Sequence, residues 1–158
     1  YDNRCHMIKQ ITFDEIYSIW KNDLWPDRVS AIEPLNCMMF MGGWDSSVEQ
    51  KYKPVFFAYT DNGKILGVNS GFQTSEYTFR SRGIWVYPEH RSKGIAKHLL
   101  DAVVNYAKEE TSACIIWSIP RKTAFKAYEA VGFSRIGPWF DKEMEFGPNC
   151  YAYMEIKE

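Results

Sequence analysis

The sequence lacks a metal-binding cysteine pattern and a long apolar run. The four cysteines, Cys5, Cys37, Cys114 and Cys150, are far apart and show no CxxC or other zinc-ligand spacing. We therefore expect no metal site and reduced thiols rather than a disulfide framework. No segment approaches the roughly 18 apolar residues of a membrane span, and no basic stretch followed by an apolar run opens the chain. These absences predict a soluble, cytoplasmic protein.

The sequence also lacks an excess of charge of either sign. The 19 Lys and Arg residues are balanced by 20 Asp and Glu residues, which leaves a formal net charge of -1. Such a chain has no overall field to attract nucleic acid or an anionic membrane, so we expect neither as a partner, and any anion site must be local. The 158 residues contain no repeat, low-complexity tract or linker, which predicts a single domain over residues 1–158.

Apolar periodicity predicts an alternation of strands and helices. Thr12 and Glu15 form a capping box at the start of a helix, and the Asp-Asn-Gly sequence at residues 61–63 forms a tight turn between two strands. The clearest helix spans residues 93–108, because one of its faces is apolar and the other polar, and Gly132 ends a later short helix. The predicted strands are residues 5–11, 55–60, 64–72, 78–86, 113–119, 133–140 and 149–156. The predicted order is β, α, loop, β, β, β, α, β, α, β, β.

One segment carries a clear chemical pattern, the turn between the strand at residues 78–86 and the helix at residues 93–108. The first N–H groups of a helix lack partners within it and point outward, where the helix dipole adds positive potential. Gly94 lets an anion approach the backbone because it has no Cβ, and Arg91 and Lys93 add positive charge. The segment therefore predicts a pyrophosphate site. The alternative is a solvated loop before an ordinary amphipathic helix.

The hexapeptide Arg91-Ser92-Lys93-Gly94-Ile95-Ala96 resembles the acetyl-CoA signature (Q/R)-x-x-G-x-(G/A) of the GNAT superfamily of N-acetyltransferases. The upstream Val86-x-Pro88 and the pattern A-x-x-x-Y-E-x-x-G-F at residues 124–133 also match that superfamily. The resemblance is good over residues 54–136 and extends elsewhere only to the order of elements. Two motifs at a suitable separation make it more specific than either motif alone.

The resemblance implies an α/β fold whose central mixed sheet has about six or seven strands and is flanked by helices. In such proteins the strand that ends at Val86 and the strand at residues 115–119 splay apart, and the pantetheine arm of acetyl-CoA lies in the opening. Backbone groups of Ile84, Trp85 and Val86 would pair with that arm like an additional strand. Acetyl-CoA would be the co-substrate, and the residues that bind its pyrophosphate would be Arg91, Ser92, Lys93, Gly94, Ile95 and Ala96.

Tyr128 matches the general-acid tyrosine of the superfamily. With an ordinary pKa of about 10, its phenol would be protonated and able to donate a proton to the CoA thiolate. The alternative is a core tyrosine on the apolar face of a helix. Arg121 stands where the superfamily usually has asparagine, and it either reaches a CoA phosphate or is exposed.

The sequence motifs assign no general base. The position that holds a glutamate in some relatives is Ile116 here, and residues 77–86 contain no carboxylate. The remaining candidates are Glu76, Asp141 and Glu143, although each is also explained as a surface charge. A positioned base typically contributes about 10²–10⁴-fold, so its absence would slow the reaction without abolishing it. A water chain or the ionisation equilibrium of the amine itself would then release the proton.

The acceptor side is expected to be built by the first helix, the last strands and residues 23–52, whose weak periodicity is typical of a functional loop with a helical turn or two. Several large side chains in these regions either line the acceptor pocket or fill the core: Trp20, Trp25, residues 38–41, Trp44, Trp139 and Phe140. The three histidines, His6, His90 and His98, show no spacing for metal ligation or a catalytic triad.

Three functions are compatible with these features. The protein acetylates the primary amine of a small molecule by direct attack in a ternary complex, it acetylates a protein N-terminus or lysine, or it binds CoA as a regulatory or structural module with little turnover. The small-molecule acceptor is favoured, and a homodimer is compatible with the sequence. Tyr128 favours catalysis, whereas the missing motif base favours the binding module.

Overall fold

The computed structural model describes residues 6–141 and 147–157. The strands in this part of the chain are β1 (His6–Ile11), β2 (Val55–Asp61), β3 (Lys64–Gln73), β4 (Thr78–Val86), β5 (Ile115–Ser118), β6 (Ser134–Phe140) and β7 (Asn149–Glu155). They form one sheet in the order β1-β2-β3-β4-β5-β7-β6. The pair β4 and β5 is parallel and the other neighbouring pairs are antiparallel. The predicted mixed sheet is confirmed.

Helices lie on both faces of this sheet. The α-helices of the described chain are α1 (Phe13–Ile19), α2 (Val48–Lys51), α3 (Ile95–Glu110) and α4 (Phe125–Val131). A π-helical turn at Trp20–Leu24 extends α1, and short 3₁₀ turns occur at Phe40–Gly42 and Pro88–His90. The order of elements agrees with the predicted alternation, and residues 25–52 hold only short helical turns. None of the described helices is long and apolar enough to cross a membrane.

Two local signals in the sequence are confirmed. The Thr12 Oγ1 accepts a hydrogen bond from the Glu15 backbone N–H at 3.2 Å, and the Glu15 carboxylate accepts one from the Thr12 N–H at 3.0 Å, which completes the capping box. Between β2 and β3, Asn62 and Gly63 adopt φ values of 52° and 83°. Positive φ at both positions matches the right-handed twist of a tight hairpin.

The strands β4 and β5 pair only at their beginnings. The paired positions are Thr78 with Ile115, Phe79 with Ile116 and Arg80 with Trp117. Beyond them β4 continues to Val86 without a strand partner on the β5 side. The other edge of β5 pairs with β7. The two strands therefore part in the middle of the sheet, as the resemblance implied.

The sheet has a hydrophobic core on each face. Phe57 packs with Leu99 and Val103 of α3 in the first core, whereas Phe56 packs with Trp20 in the second. Side chains alternate between faces along a strand, so the adjacent Phe56 and Phe57 place these cores on opposite sides of the sheet. The α3 and α4 helices thus cover one face, and α1 with its π-helical turn covers the other.

A bulge at Gly83 changes which residues of β4 face each core. Phe79 and Val86 both pack in the first core, although strict alternation would place them on opposite faces. The pairing with β3 shifts register between Val68 and Ser70, opposite this point. Gly83 has a φ of 79°, which glycine adopts without the strain that a Cβ would cause. The bulge therefore inverts the side-chain alternation along β4.

Trp20 fixes the bulge from the second core. Its indole Nε1 donates a hydrogen bond to the Gly83 carbonyl at 2.8 Å. A Cβ at position 83 would lie 2.4 Å from the indole ring, which is closer than real Cβ atoms come to other atoms. Trp20 is fully buried, so it belongs to the core rather than to an acceptor pocket.

Replacing Gly83 by alanine should therefore be costly. We expect Gly83→Ala to lower the free energy of unfolding by about 2–4 kcal/mol, because strain at positive φ adds to the clash with Trp20. The matched control is Gly63→Ala, which has a similar φ of 83° and open space around the added Cβ. It should cost only about 1–2 kcal/mol. If urea denaturation gave the same loss of unfolding free energy for both variants, a close contact between position 83 and Trp20 would be contradicted.

Candidate active site

The turn between β4 and α3 presents a row of backbone N–H groups. Ser92 and Gly94 adopt φ values of 65° and 82°, and Gly94 begins α3 without a side-chain cap. Within the described chain, the backbone N–H groups of residues 92–97 make no hydrogen bond. Gly94 has open space where a Cβ would be. This arrangement has the chemistry of an anion site, since free amides and the positive end of the α3 dipole coincide.

The side chains of the predicted pyrophosphate segment have different environments. Arg91 folds back, so that its Nε donates to the Val86 carbonyl at 2.8 Å and its guanidinium lies 4.6 Å from the centre of the Trp85 ring. Ser92 and Lys93 are exposed, whereas Ile95 is buried in the first core and Ala96 packs against it. Arg91 therefore ties the turn to the end of β4, and Ile95 anchors the start of α3.

The end of β4 provides the other predicted contacts for the pantetheine arm. Ile84 and Val86 pack in the first core, and Trp85 packs against the second. Their backbone has no strand partner on the side that faces β5. The Val86 carbonyl is occupied by Arg91, so a strand-like ligand would meet the free groups before it. The pairing role of these residues stays a prediction.

A cavity of about 230 Å³ opens where β4 and β5 part. The wall is formed by residues of β4, β5, β7, α4, the π-helical turn and the loops that follow this turn and β5: Leu24, Trp25, Arg28, Asn36, Arg80, Ser81, Arg82, Gly83, Ile84, Ser118, Ile119, Pro120, Arg121, Ala124, Tyr128 and Asn149. The cavity lining includes Ile84. The cavity therefore lies next to the unpaired edge of β4, on the side farther from the turn at residues 91–94.

Tyr128 places its hydroxyl group at this cavity. The side chain is only 1% exposed, and its ring packs edge-on against Phe133 at 5.1 Å in the first core. The hydroxyl lies 3.2 Å from the Ser118 Oγ and 3.4 Å from the Ser81 Oγ. Burial raises the pKa of Tyr128, against smaller opposing effects of the two serines and Arg80. The phenol is therefore protonated at neutral pH, which suits a proton donor and not a base.

Two arginines that sequence reasoning missed line the same cavity. Arg80 and Arg82 lie on β4 before the bulge and are 6% and 5% exposed. Arg82 lies against Trp20 and Trp25, with its guanidinium carbon 5.1 Å and 5.3 Å from their ring centres. The signal was available, because an Arg-Ser-Arg sequence inside a strand flanked by apolar residues places two charges on one face of a buried sheet.

Arg121 also belongs to the cavity wall. It is half-buried, and its Nη2 donates a hydrogen bond to the Leu24 carbonyl at 3.0 Å. Burial lowers its pKa. This contact joins the loop after β5 to the π-helical turn after α1. A role at a CoA phosphate stays a prediction.

Two of the three carboxylate candidates, Glu76 and Asp141, do not line the cavity. Glu76 precedes β4 and is exposed, at the opposite end of that strand from Val86, and Asp141 is exposed after β6. Glu143 falls outside the described residues. No Asp or Glu occurs among the described residues that line the cavity.

The candidate acceptor residues divide between three environments. Trp25 lines the cavity, while the Phe40 ring packs at a tilt against Trp117 outside it, with ring centres 5.7 Å apart. Trp44 is 66% exposed and does not line this cavity. Trp139 contacts Phe125 of α4 at 5.4 Å, outside the cavity. Of these four residues only Trp25 lines the cavity, and its contact with an acceptor stays a prediction.

Comparison with known proteins identifies the family. Residues 14–133 match the model of the Acetyltransferase (GNAT) family. The match spans most of the chain, and the protein therefore belongs to the GNAT acetyltransferase family. A search of curated proteins with this sequence finds no significant match.

Solved structures show the same fold. One is yncA from Salmonella typhimurium with its cofactor acetyl-CoA, which has a TM-score of 0.67 and 13% identity over 98% of this chain and 96% of that chain. Another is a dodecameric spermidine N-acetyltransferase from Vibrio cholerae, with a TM-score of 0.67 and 14% identity over 98% and 95%. A GNAT-family acetyltransferase from Staphylococcus aureus MU50 has a TM-score of 0.65 and 18% identity over 96% and 99%. The likeness establishes the GNAT fold.

The buried position of Tyr128 predicts late ionisation. Absorbance at 295 nm, titrated from pH 8 to pH 12 in the protein and in Tyr128→Phe, isolates this phenol as a difference. We expect its midpoint to lie above the value of about 10 for an exposed tyrosine, because burial disfavours the phenolate. Circular dichroism at each pH shows whether the fold persists. A midpoint at or below 10 in the folded protein would contradict the buried environment.

Proposed function

We propose that the protein transfers the acetyl group of acetyl-CoA to the primary amine of a small-molecule acceptor by direct attack in a ternary complex. The observation that carries this proposal is a continuous path, from the free amides of residues 92–97 along the unpaired edge of β4 to the cavity at Tyr128. Family membership and the acetyl-CoA found in yncA support it. The cavity of about 230 Å³ favours a small amine over a protein lysine or N-terminus.

The turn at residues 91–96 has the properties that a CoA pyrophosphate requires. The free N–H groups supply hydrogen-bond donors, and the open space at Gly94 permits close approach. Lys93 is exposed and adds a positive charge at the same place. The backbone of Ile84 and Trp85 then lies along the path from the turn to the cavity. When bound there, acetyl-CoA supplies the acyl thioester.

Tyr128 is the proposed proton donor. Its hydroxyl borders the cavity and is held by Ser81 and Ser118. Because burial keeps the phenol protonated, it can deliver a proton to the sulfur that leaves. The two serine hydroxyls limit its motion, which places the proton at one point of the cavity.

The positive charge of the cavity offers a way to deprotonate the amine without a general base. An amine reacts only in its neutral form, and nearby positive charges disfavour the ammonium ion, which lowers the amine pKa. Arg80 and Arg82 line this cavity, and neither has a carboxylate partner in the described part of the chain. We propose that this field releases the amine proton to solvent without a carboxylate.

Loss of Gly94 should abolish CoA binding. We expect Gly94→Glu to remove the thermal stabilisation by acetyl-CoA, which for the unchanged protein reaches about 2.7 kcal/mol at a hundredfold excess over Kd. The added carboxylate repels phosphate and fills the open space. The matched control is Gly137→Glu, because Gly137 has a φ of 75°, similar open space and a position outside the cavity. A retained shift in Gly94→Glu would remove this turn as the CoA site.

Loss of the Tyr128 hydroxyl should slow turnover. We expect Tyr128→Phe to lower kcat by about 10²-fold or more, with little change in KM for acetyl-CoA, because the donor acts on the leaving group. Tyr106→Phe is the control, since Tyr106 packs against the first core and does not line the cavity. CoA release under saturating amine measures both. An unchanged kcat would exclude Tyr128 as the donor, and tight CoA binding without turnover on any amine would favour the CoA-binding module.

A further inference from the structure

Strand β4 buries two positive charges at the cavity. Arg80 and Arg82 are two positions apart before the bulge, so both lie on the face of the second core, opposite Tyr128. An amine that enters from this face would meet the arginines first and the acyl group at the sheet opening second. Their position therefore fits a role in binding the acceptor.

Neither arginine has a carboxylate partner in the described part of the chain. The Arg80 Nη1 donates to the Asn36 Oδ1 at 3.0 Å, and the Arg82 Nη1 donates to the Glu33 carbonyl at 2.8 Å. The Arg80 Nε is buried without any hydrogen-bond partner. The Glu33 carboxylate is exposed and forms no ion pair with Arg82. Burying a charge in this way is expensive unless something compensates it.

The arginines also act on each other. Burial is the main cause that lowers the pKa of Arg80 to about 10 and that of Arg82 to about 9, and the positive charges of Arg80 and Arg28 lower the Arg82 value further. Both guanidinium groups remain charged at neutral pH. A bound anion would relieve this repulsion.

We propose that Arg80 and Arg82 bind a carboxylate of the acceptor, so that the substrate is a small amine that also carries a carboxylate, as amino acids do. This inference rests on the proposed acetyl transfer. Guanidinium groups suit carboxylates because their donors match the two oxygens. The cationic wall would disfavour a polyamine such as spermidine.

The test compares amino acids with their own carboxamides as acceptors, at saturating acetyl-CoA. The carboxylate also raises the pKa of the neighbouring α-amine, so kcat/KM is calculated on the concentration of neutral amine in each pair. We expect kcat/KM to be at least about tenfold higher for the acid, as expected for a charge-assisted hydrogen bond. Arg80→Met and Arg82→Met should each raise KM for the acids and so abolish the acid-to-amide ratio of kcat/KM. Loss of the positive field lowers kcat with both kinds of acceptor alike, so this ratio isolates the contact with the carboxylate. Arg135→Met is the control, because Arg135 is exposed and lies outside the cavity.

Thermal stabilisation by acetyl-CoA, measured on each variant, shows that the fold and the CoA site are intact. If a Met variant does not fold, Arg82→Lys replaces it, which keeps the charge and loses the paired donors. Equal rates for acids and amides would overturn the substrate inference and leave the proposed acetyl transfer standing. A preference for succinyl-CoA over acetyl-CoA with amide acceptors, lost in Arg80→Met, would overturn it by assigning the arginines to the acyl chain. Acetyl-CoA binding without acetylation of any amine would overturn both proposals.

Discussion

The indole of Trp20 occupies the space in which any side chain at position 83 would lie, and its N–H holds the Gly83 carbonyl. This contact keeps β4 bulged at its midpoint. Because a bulge shifts the alternation of side chains by one residue, Arg80 and Arg82 face one side of the sheet and Val86 faces the other. One strand can therefore hold the end of the proposed CoA path against α3 and still direct two guanidinium groups toward the opposite face.

The electrostatics of the cavity follow from the same strand. Arginines remain charged when they are buried, whereas lysines often lose their proton. Trp20, Trp25 and Trp117 present ring faces to Arg80 and Arg82, and such contacts offset part of the desolvation cost. The result is a permanently positive wall beside a neutral phenol. In the proposed reaction, that combination would favour a neutral amine and a protonated leaving sulfur, the two states that acyl transfer to nitrogen needs.

The sequence was sufficient for local features. The capping box at Thr12, the hairpin at Asn62 and Gly63 and the amphipathic α3 depend on neighbours within a few residues, so their patterns were decisive. The cavity was not predictable in the same way. The orientation of Arg80 depends on a bulge whose only sequence sign is a glycine inside a strand, and the partner that fixes this bulge lies 63 residues away. For the same reason, the sequence could not distinguish a Trp20 that fills the core from one that lines a pocket.

The wall of the cavity also has a consequence for how the molecule folds. The hydrogen bond from Arg121 to the Leu24 carbonyl joins positions 97 residues apart, and that from Arg82 to the Glu33 carbonyl joins positions 49 apart. Such contacts close long loops, and this closure costs chain entropy before packing contacts offset the cost. We expect the sheet and α3 to form before the segment that carries the Leu24 and Glu33 carbonyls packs against them. The cavity would then be completed late in folding, and a chain emerging from the ribosome would lack it until β7, which carries Asn149, has been made.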